Sequence, residues 1–154
     1  MTRQAFPKHF GVIDATPIAD THTSHVWRVC LGGGRRAIVK ALKPVGIESE
    51  LAAIRYLAWR DGQGAARLLA RNGRTMMLED AGEMPLSTVI DRDGDAAATD
   101  LAADVLARLH ARRASPPPPM PGLRRRYAEL YSRAEADARA GRASIYREAA
   151  TLND

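Results

Sequence analysis

The chain has 154 residues, a hydrophobic share of 45%, a formal charge of +5 and one cysteine. That apolar content excludes a disordered chain and is enough for one compact domain or two small lobes. No run of about 18 apolar residues exists to cross a bilayer, and the first twenty residues lack the basic-then-apolar pattern of a secretory leader. Cys30 cannot form an internal disulfide, so a reducing, cytoplasmic setting is expected.

In chain order, residues 10–21, 25–31 and 37–42 read as strands, the last two around Gly32, Gly33 and Gly34 as a hairpin. No G-x-x-x-x-G-K-[ST] accompanies those glycines, so they are a turn and not a phosphate cradle. Over 46–60 the period changes: Ile47, Leu51, Ile54 and Leu57 recur at helical spacing. Residues 66–70 and 75–79 are again extended, and Asn72-Gly73 between them signals a second hairpin. A glycine- and aspartate-rich connector over 81–95 should carry a short helix near 86–90. Helices are then expected over 96–112, from Leu123 through Ala134, and over 144–152, with Asp104 and Arg108 paired one turn apart in the first. Trp27 and Trp59 are expected in the core. An early antiparallel sheet followed by helices argues an α+β fold. The expected division is 1–80, a sheet of about five strands with one helix; 81–95, a connector; and 96–154, helices.

Lysine is used sparingly, at Lys8, Lys40 and Lys43 among 23 basic residues. Lys40 stands in AIVKAL, and strand alternation puts it on one face with Ile38 and Leu42. An ammonium on a half-buried face needs a partner. The following helix offers Glu48 and Glu50. At about 100° per residue Glu50 falls in the stripe of Ile47 and Ile54, and Glu48 falls off it. Glu50 is therefore the expected partner and Glu48 the alternative.

A strand lysine, a helix glutamate, a hairpin and an apolar strand ending in acidic residues resemble the front lobe of the kinase fold. The stretches SHVWRV, AIVKALKP, ELAAIRYLAW, GAARLLAR, MMLEDAG and LARLHA are similar to the aminoglycoside phosphotransferases, and among them to the streptomycin and hydroxyurea kinases, over residues 10–112. The resemblance implies a kinase-like N-terminal lobe followed by helices that begin a C-terminal lobe. It implies that Lys40 binds the α- and β-phosphates of ATP, held by Glu50. Thr21, His22, Thr23 and Ser24 would lie over the phosphates, Val26 and Ile38 would wall the base, and the backbone of Leu78, Glu79, Asp80 and Ala81 would bind the adenine edge. The acceptor would be a small hydroxylated molecule, such as an aminoglycoside.

This chain departs from that pattern in its phosphate-covering loop, which lacks G-x-G-x-x-G. It departs further in its second half. The family needs a loop aspartate as base, an asparagine, and a later aspartate for Mg²⁺. His110 is followed by Ala111, Arg112 and Arg113, and Asn153-Asp154 stands without that context. No catalytic residue and no metal ligand is assigned, and the chain is expected to stop before the catalytic loop and to be inactive alone. Two other readings stand beside this one: a non-catalytic nucleotide-binding or interaction module, and a basic nucleic-acid-binding domain suggested by the +5 charge and the arginine-rich second half, although Arg124, Arg125 and Arg126 read more simply as a solvated helical face. An apolar stripe of Leu123, Tyr127 and Tyr131 favours self-association. His22 reads more simply as an exposed loop side chain, and His110 as a packing or helix-end residue, than as ligands.

Overall fold

The structure, a computed structural model, describes residues 5–152, excepting the side chains of Glu48, Ser49 and Leu123. It forms two compact units, Met1–Pro118 and Pro119–Asp154.

The first unit is built on a five-stranded antiparallel sheet. Its strands are β1 (Val12–Asp20), β2 (Ser24–Leu31), β3 (Arg36–Leu42), β4 (Leu68–Asn72) and β5 (Thr75–Glu79), in the order β1-β2-β3-β5-β4. The first expected strand starts two residues late, because Phe10 closes a short helical turn and is buried at 3% exposure. Both glycine signals are hairpins. Gly33 and Gly34 adopt φ of 79° and 75°, and Gly73 adopts 53°, a region L side chains rarely enter. Between β3 and β4 runs α1 (Ile47–Arg60). It ends where Asp61 turns left-handed and its N–H returns to the Leu57 carbonyl at 3.0 Å.

Alternation gives the sheet two apolar faces. On one, Val29, Leu31, Ala37, Val39 and Met77 pack with Phe10. Trp27 lies at the margin of this core, half-buried, with Phe6 edge-on at 5.5 Å. On the other face, Leu42 and Met76 pack with Ile54 of α1, flanked by Ile47 and Leu51. Full burial of each such side chain stabilises by roughly 1.5–3 kcal/mol. The helical period over 46–60 and the strand period over 37–42 therefore meet in one core, which sets α1 against the face that carries Lys40.

Helices α2 (Leu86–Asp93) and α3 (Asp95–His110) complete the first unit. Arg108, expected to pair with Asp104, sends Nε to the Asp104 backbone carbonyl at 3.3 Å. The second unit holds α4 (Leu123–Arg126), α5 (Ala128–Arg139) and α6 (Ile145–Thr151). Its long expected helix is interrupted at Tyr127. Ser144 caps α6 through its hydroxyl, which accepts from the Arg147 N–H at 3.4 Å. Tyr131 is buried with Arg124 over its ring at 4.6 Å, whereas Tyr127 is exposed; the Leu123 side chain is outside the described residues. The expected apolar stripe is thus partly covered within its own unit. No helix among the described residues is long and apolar enough to cross a membrane.

Candidate functional site

Register places the candidate residues on one face. Val26 is opposite Lys40 across β2 and β3, and Met76 is opposite Lys40 across β3 and β5. Ile38 lies between Arg28 and Leu78 in the same way. Val26, Ile38 and Lys40 therefore line one side of the sheet, two residues apart along β3, and all three are half-buried.

Lys40 Nζ donates to Glu50 Oε1 at 2.7 Å, with side-chain exposures of 24% and 20%. The partner expected from the helical stripe is the one present, and the Glu48 side chain lies outside the described residues. The pair links the central strand to α1. Its partial exposure leaves the ammonium able to meet an anion from the open side while the carboxylate fixes its direction.

Beside the pair, Thr21, His22, Thr23 and Ser24 join β1 to β2 in a closed turn. The Thr21 N–H donates to the Ser24 carbonyl at 2.8 Å, and the Ser24 N–H donates to Thr21 Oγ1 at 3.0 Å. Ser24 is buried and His22 is exposed. At the turn's edge, Lys43 Nζ and His25 Nδ1 both reach Asp20 Oδ1, at 2.5 and 3.1 Å. The Lys43 hydrogen bond, with the nearby charges of His25 and Lys43, holds the Asp20 carboxyl below the usual aspartate range.

The run after β5 is shaped by its own polar contacts. Glu79 donates its N–H to the Arg67 carbonyl at 2.9 Å, and its Oε2 accepts from the Arg67 N–H at 3.0 Å. Asp80 Oδ1 accepts from the Gly82 N–H at 3.0 Å. The Ala81 N–H has no partner among the described residues. Two arginines that the sequence reading passed over hold this run in place. Arg28 Nη2 donates to the Gly82 carbonyl at 3.2 Å, and its Nε stands 3.1 Å from Asp80 Oδ2. That contact is an ion pair and not an aligned hydrogen bond, since neither atom completes one although both are buried. Arg36 Nη1 meets Glu83 Oε1 at 2.5 Å. The signal for Arg28 was present in the sequence: it alternates with Val26 on the Lys40 face of β2.

A second arrangement was also missed. Arg60, at the end of α1, is 1% exposed. Its Nε donates to the Gln63 carbonyl at 2.7 Å and its Nη2 to the Arg108 carbonyl at 2.6 Å. Arg113 donates to the Arg60 carbonyl. Trp59 is not a core residue as expected. It is half-buried, lies beneath Arg60 and Arg113, and donates Nε1 to Ser115 Oγ at 3.1 Å. The C-terminal end of α1 is tied to that of α3, where Arg60 adds a charged donor to the Arg108 carbonyl beside the Ala111 N–H. Among the described residues no three His, Cys, Asp or Glu side chains stand together to hold a metal ion.

A five-stranded antiparallel sheet whose central lysine meets a glutamate on the single helix crossing it, followed by helices, is the architecture of a kinase-like N-terminal lobe and what comes after it. The sequence model of the aminoglycoside/hydroxyurea antibiotic resistance kinases matches residues 9–154, and the chain belongs to that family. It is 35% identical over 130 residues to the streptomycin 3''-kinase of Klebsiella pneumoniae, an alignment that covers 83% of this chain and 47% of the relative. The chain spans about half the length of that curated relative.

Proposed function

We propose that this chain is the ATP-holding part of a small-molecule phosphotransferase that moves the γ-phosphate to a hydroxyl of an aminoglycoside-like acceptor. The observation that carries the reading is the 2.7 Å contact between Lys40 and Glu50 on the face of the sheet that α1 packs against. In this reading Lys40 binds the α- and β-phosphates, and Glu50 keeps the ammonium aimed. Residues 21–24 cover the phosphates through backbone N–H groups, which suit anions without a glycine motif. Val26 and Ile38 enclose the base. In the run Leu78, Glu79, Asp80 and Ala81, the Glu79 N–H already has a partner, which leaves those of Asp80 and Ala81 for the adenine edge.

Phosphoryl transfer of this kind uses Mg²⁺ to neutralise charge between the phosphates. Among the described residues no three His, Cys, Asp or Glu side chains stand together to hold the ion. The 154 residues are expected to bind nucleotide without turning it over, since the sequence offers no aspartate base. The protein is read as cytoplasmic, where ATP is supplied.

The test is a titration of the chain with ATP, followed by calorimetry or tryptophan fluorescence, for wild type, Lys40→Ala and Glu50→Gln. Loss of a charge-assisted contact of about 1.5–3 kcal/mol weakens binding roughly 10- to 150-fold in Lys40→Ala. Equal affinity in wild type and Lys40→Ala rejects the assignment of the site.

Self-association is proposed as well, supported by the apolar side chains that α3 exposes. Leu101, Val105 and Leu106 are 47%, 48% and 53% exposed on one helix. A contiguous apolar face of this kind favours contact with a second surface.

A further inference from the structure

We propose that residues 21–24 are not a free flap but are stapled by Lys43 and Gly46 to the junction of β3 and α1, so that the phosphate-covering turn and the Lys40–Glu50 pair are held as one unit. The inference rests on the nucleotide-binding reading of this face and goes beyond it to two positioning residues.

Three hydrogen bonds and one close approach make the staple. The Lys43 N–H donates to the Thr23 carbonyl at 2.8 Å. Lys43 Nζ donates to the Thr21 carbonyl at 2.6 Å and to Asp20 Oδ1 at 2.5 Å. Gly46 allows the close approach by having no side chain. A Cβ there would stand 2.5 Å from the Thr23 carbonyl oxygen and 2.8 Å from the Thr23 Cβ. Its φ of −86° is open to any residue, so glycine is required here for space and not for backbone conformation.

The placement gives the staple its consequence. Lys43 lies three residues beyond Lys40 at the end of β3, and Gly46 immediately precedes α1, one helical turn before Glu50. The turn is therefore attached to the segment that connects the two members of the ion pair. The turn is also closed internally, with the N–H groups of Thr21 and Ser24 engaged. Among the described residues, those of His22 and Thr23 are left to meet an anion. Thr21 and Ser24 shape the turn, so the phosphate-facing role falls on the two residues between them. A loop fixed before the ligand arrives costs less to order on binding.

A rival role for Lys43 is direct contact with phosphate, and Asp20→Asn separates the two. If Lys43 acts through the staple, the substitution weakens it and ADP binding falls. If Lys43 binds phosphate, removing a neighbouring carboxylate frees the ammonium and ADP binding holds or improves. Gly46→Ala displaces the turn with no change of charge.

The experiment uses the full chain with ADP and adenosine as probes, titrated by NMR. Asp20→Asn and Gly46→Ala are each expected to raise the Kd for ADP about fivefold, as for a competent fraction of roughly one fifth, with adenosine unchanged. Unchanged or tighter ADP binding in Asp20→Asn, or equal losses for ADP and adenosine in Gly46→Ala, overturns the proposal. Amide exchange of Ser24 and Lys43 without nucleotide tests the staple independently of any binding. Slow exchange in wild type and fast exchange in both variants supports it, and fast exchange in wild type overturns it. Wild type that binds no ADP but shows that protection pattern leaves the staple standing and removes the nucleotide reading.

Discussion

Replacing Arg60 by alanine should destabilise the first unit sharply, although no acidic side chain pairs with Arg60 among the contacts described. The guanidinium is 1% exposed and donates to the carbonyls of Gln63 and Arg108 at 2.7 and 2.6 Å. A hydrogen bond from a charged donor contributes about 1.5–3 kcal/mol net, so two contribute about 3–6 kcal/mol. In the alanine variant the buried cation is gone too, and water can reach one or both carbonyls. The lower end, about 3 kcal/mol, is therefore expected. With an unfolding entropy of about 2.1 cal/mol/K per residue over the 118 residues of that unit, this corresponds to a fall in Tm of about 12 °C. Circular dichroism melts of wild type, Arg60→Ala and Arg60→Met read it directly. Methionine retains the apolar stem and removes the donors, so it should melt nearly as low as alanine. A Tm within 3 °C of wild type in Arg60→Met would show that packing of the stem, not the two hydrogen bonds, secures the helix end. The loss should also reach the site, because α1 carries Glu50 ten residues, about 15 Å, from Arg60.

Met76→Ala is expected to cost about 2–5 kcal/mol in urea unfolding, since Met76 is 2% exposed between Leu42 and Ile54; a cost below 1 kcal/mol would mean that α1 closes over the gap. The Asp20 carboxyl, held below its ordinary range first by the Lys43 hydrogen bond, contributes stability above the unfolded aspartate pKa and loses it as pH falls through its own lowered value. NMR titration should find it returning toward the ordinary range in Lys43→Ala, and an unchanged value in that variant would remove Lys43 as the cause. Sedimentation should show dimers or larger species that Leu101→Asp with Val105→Asp reduces to monomer; monomeric wild type at micromolar concentration contradicts self-association.

Much of this architecture was readable from local chemistry. Alternation in AIVKAL assigns Lys40 a face, helical spacing separates Glu50 from Glu48, and Asn72-Gly73 demands a hairpin. Each follows from backbone geometry that depends on a few neighbouring residues. Composition and order were enough for an α+β fold with its sheet first. Two expectations failed on side-chain contacts that periodicity does not show. Trp59 was expected in the core, but the loop carrying Arg113 and Ser115 gives it polar and cationic neighbours. The stripe of Tyr127 and Tyr131 was read as one exposed face, but a break at Tyr127 and the Arg124 side chain cover Tyr131.

The sequence by itself determined the strands, the main helix and the lysine–glutamate pair, because period and turn chemistry are local properties. Only the tertiary structure decided what Arg28, Lys43, Gly46 and Arg60 do. Apart from Gln63, three residues after Arg60, their partners lie on other elements, from 20 to 54 residues away, and are carbonyls, clearances and carboxylates. A backbone carbonyl has the same chemistry at every position, so no residue type announces that an arginine will find it.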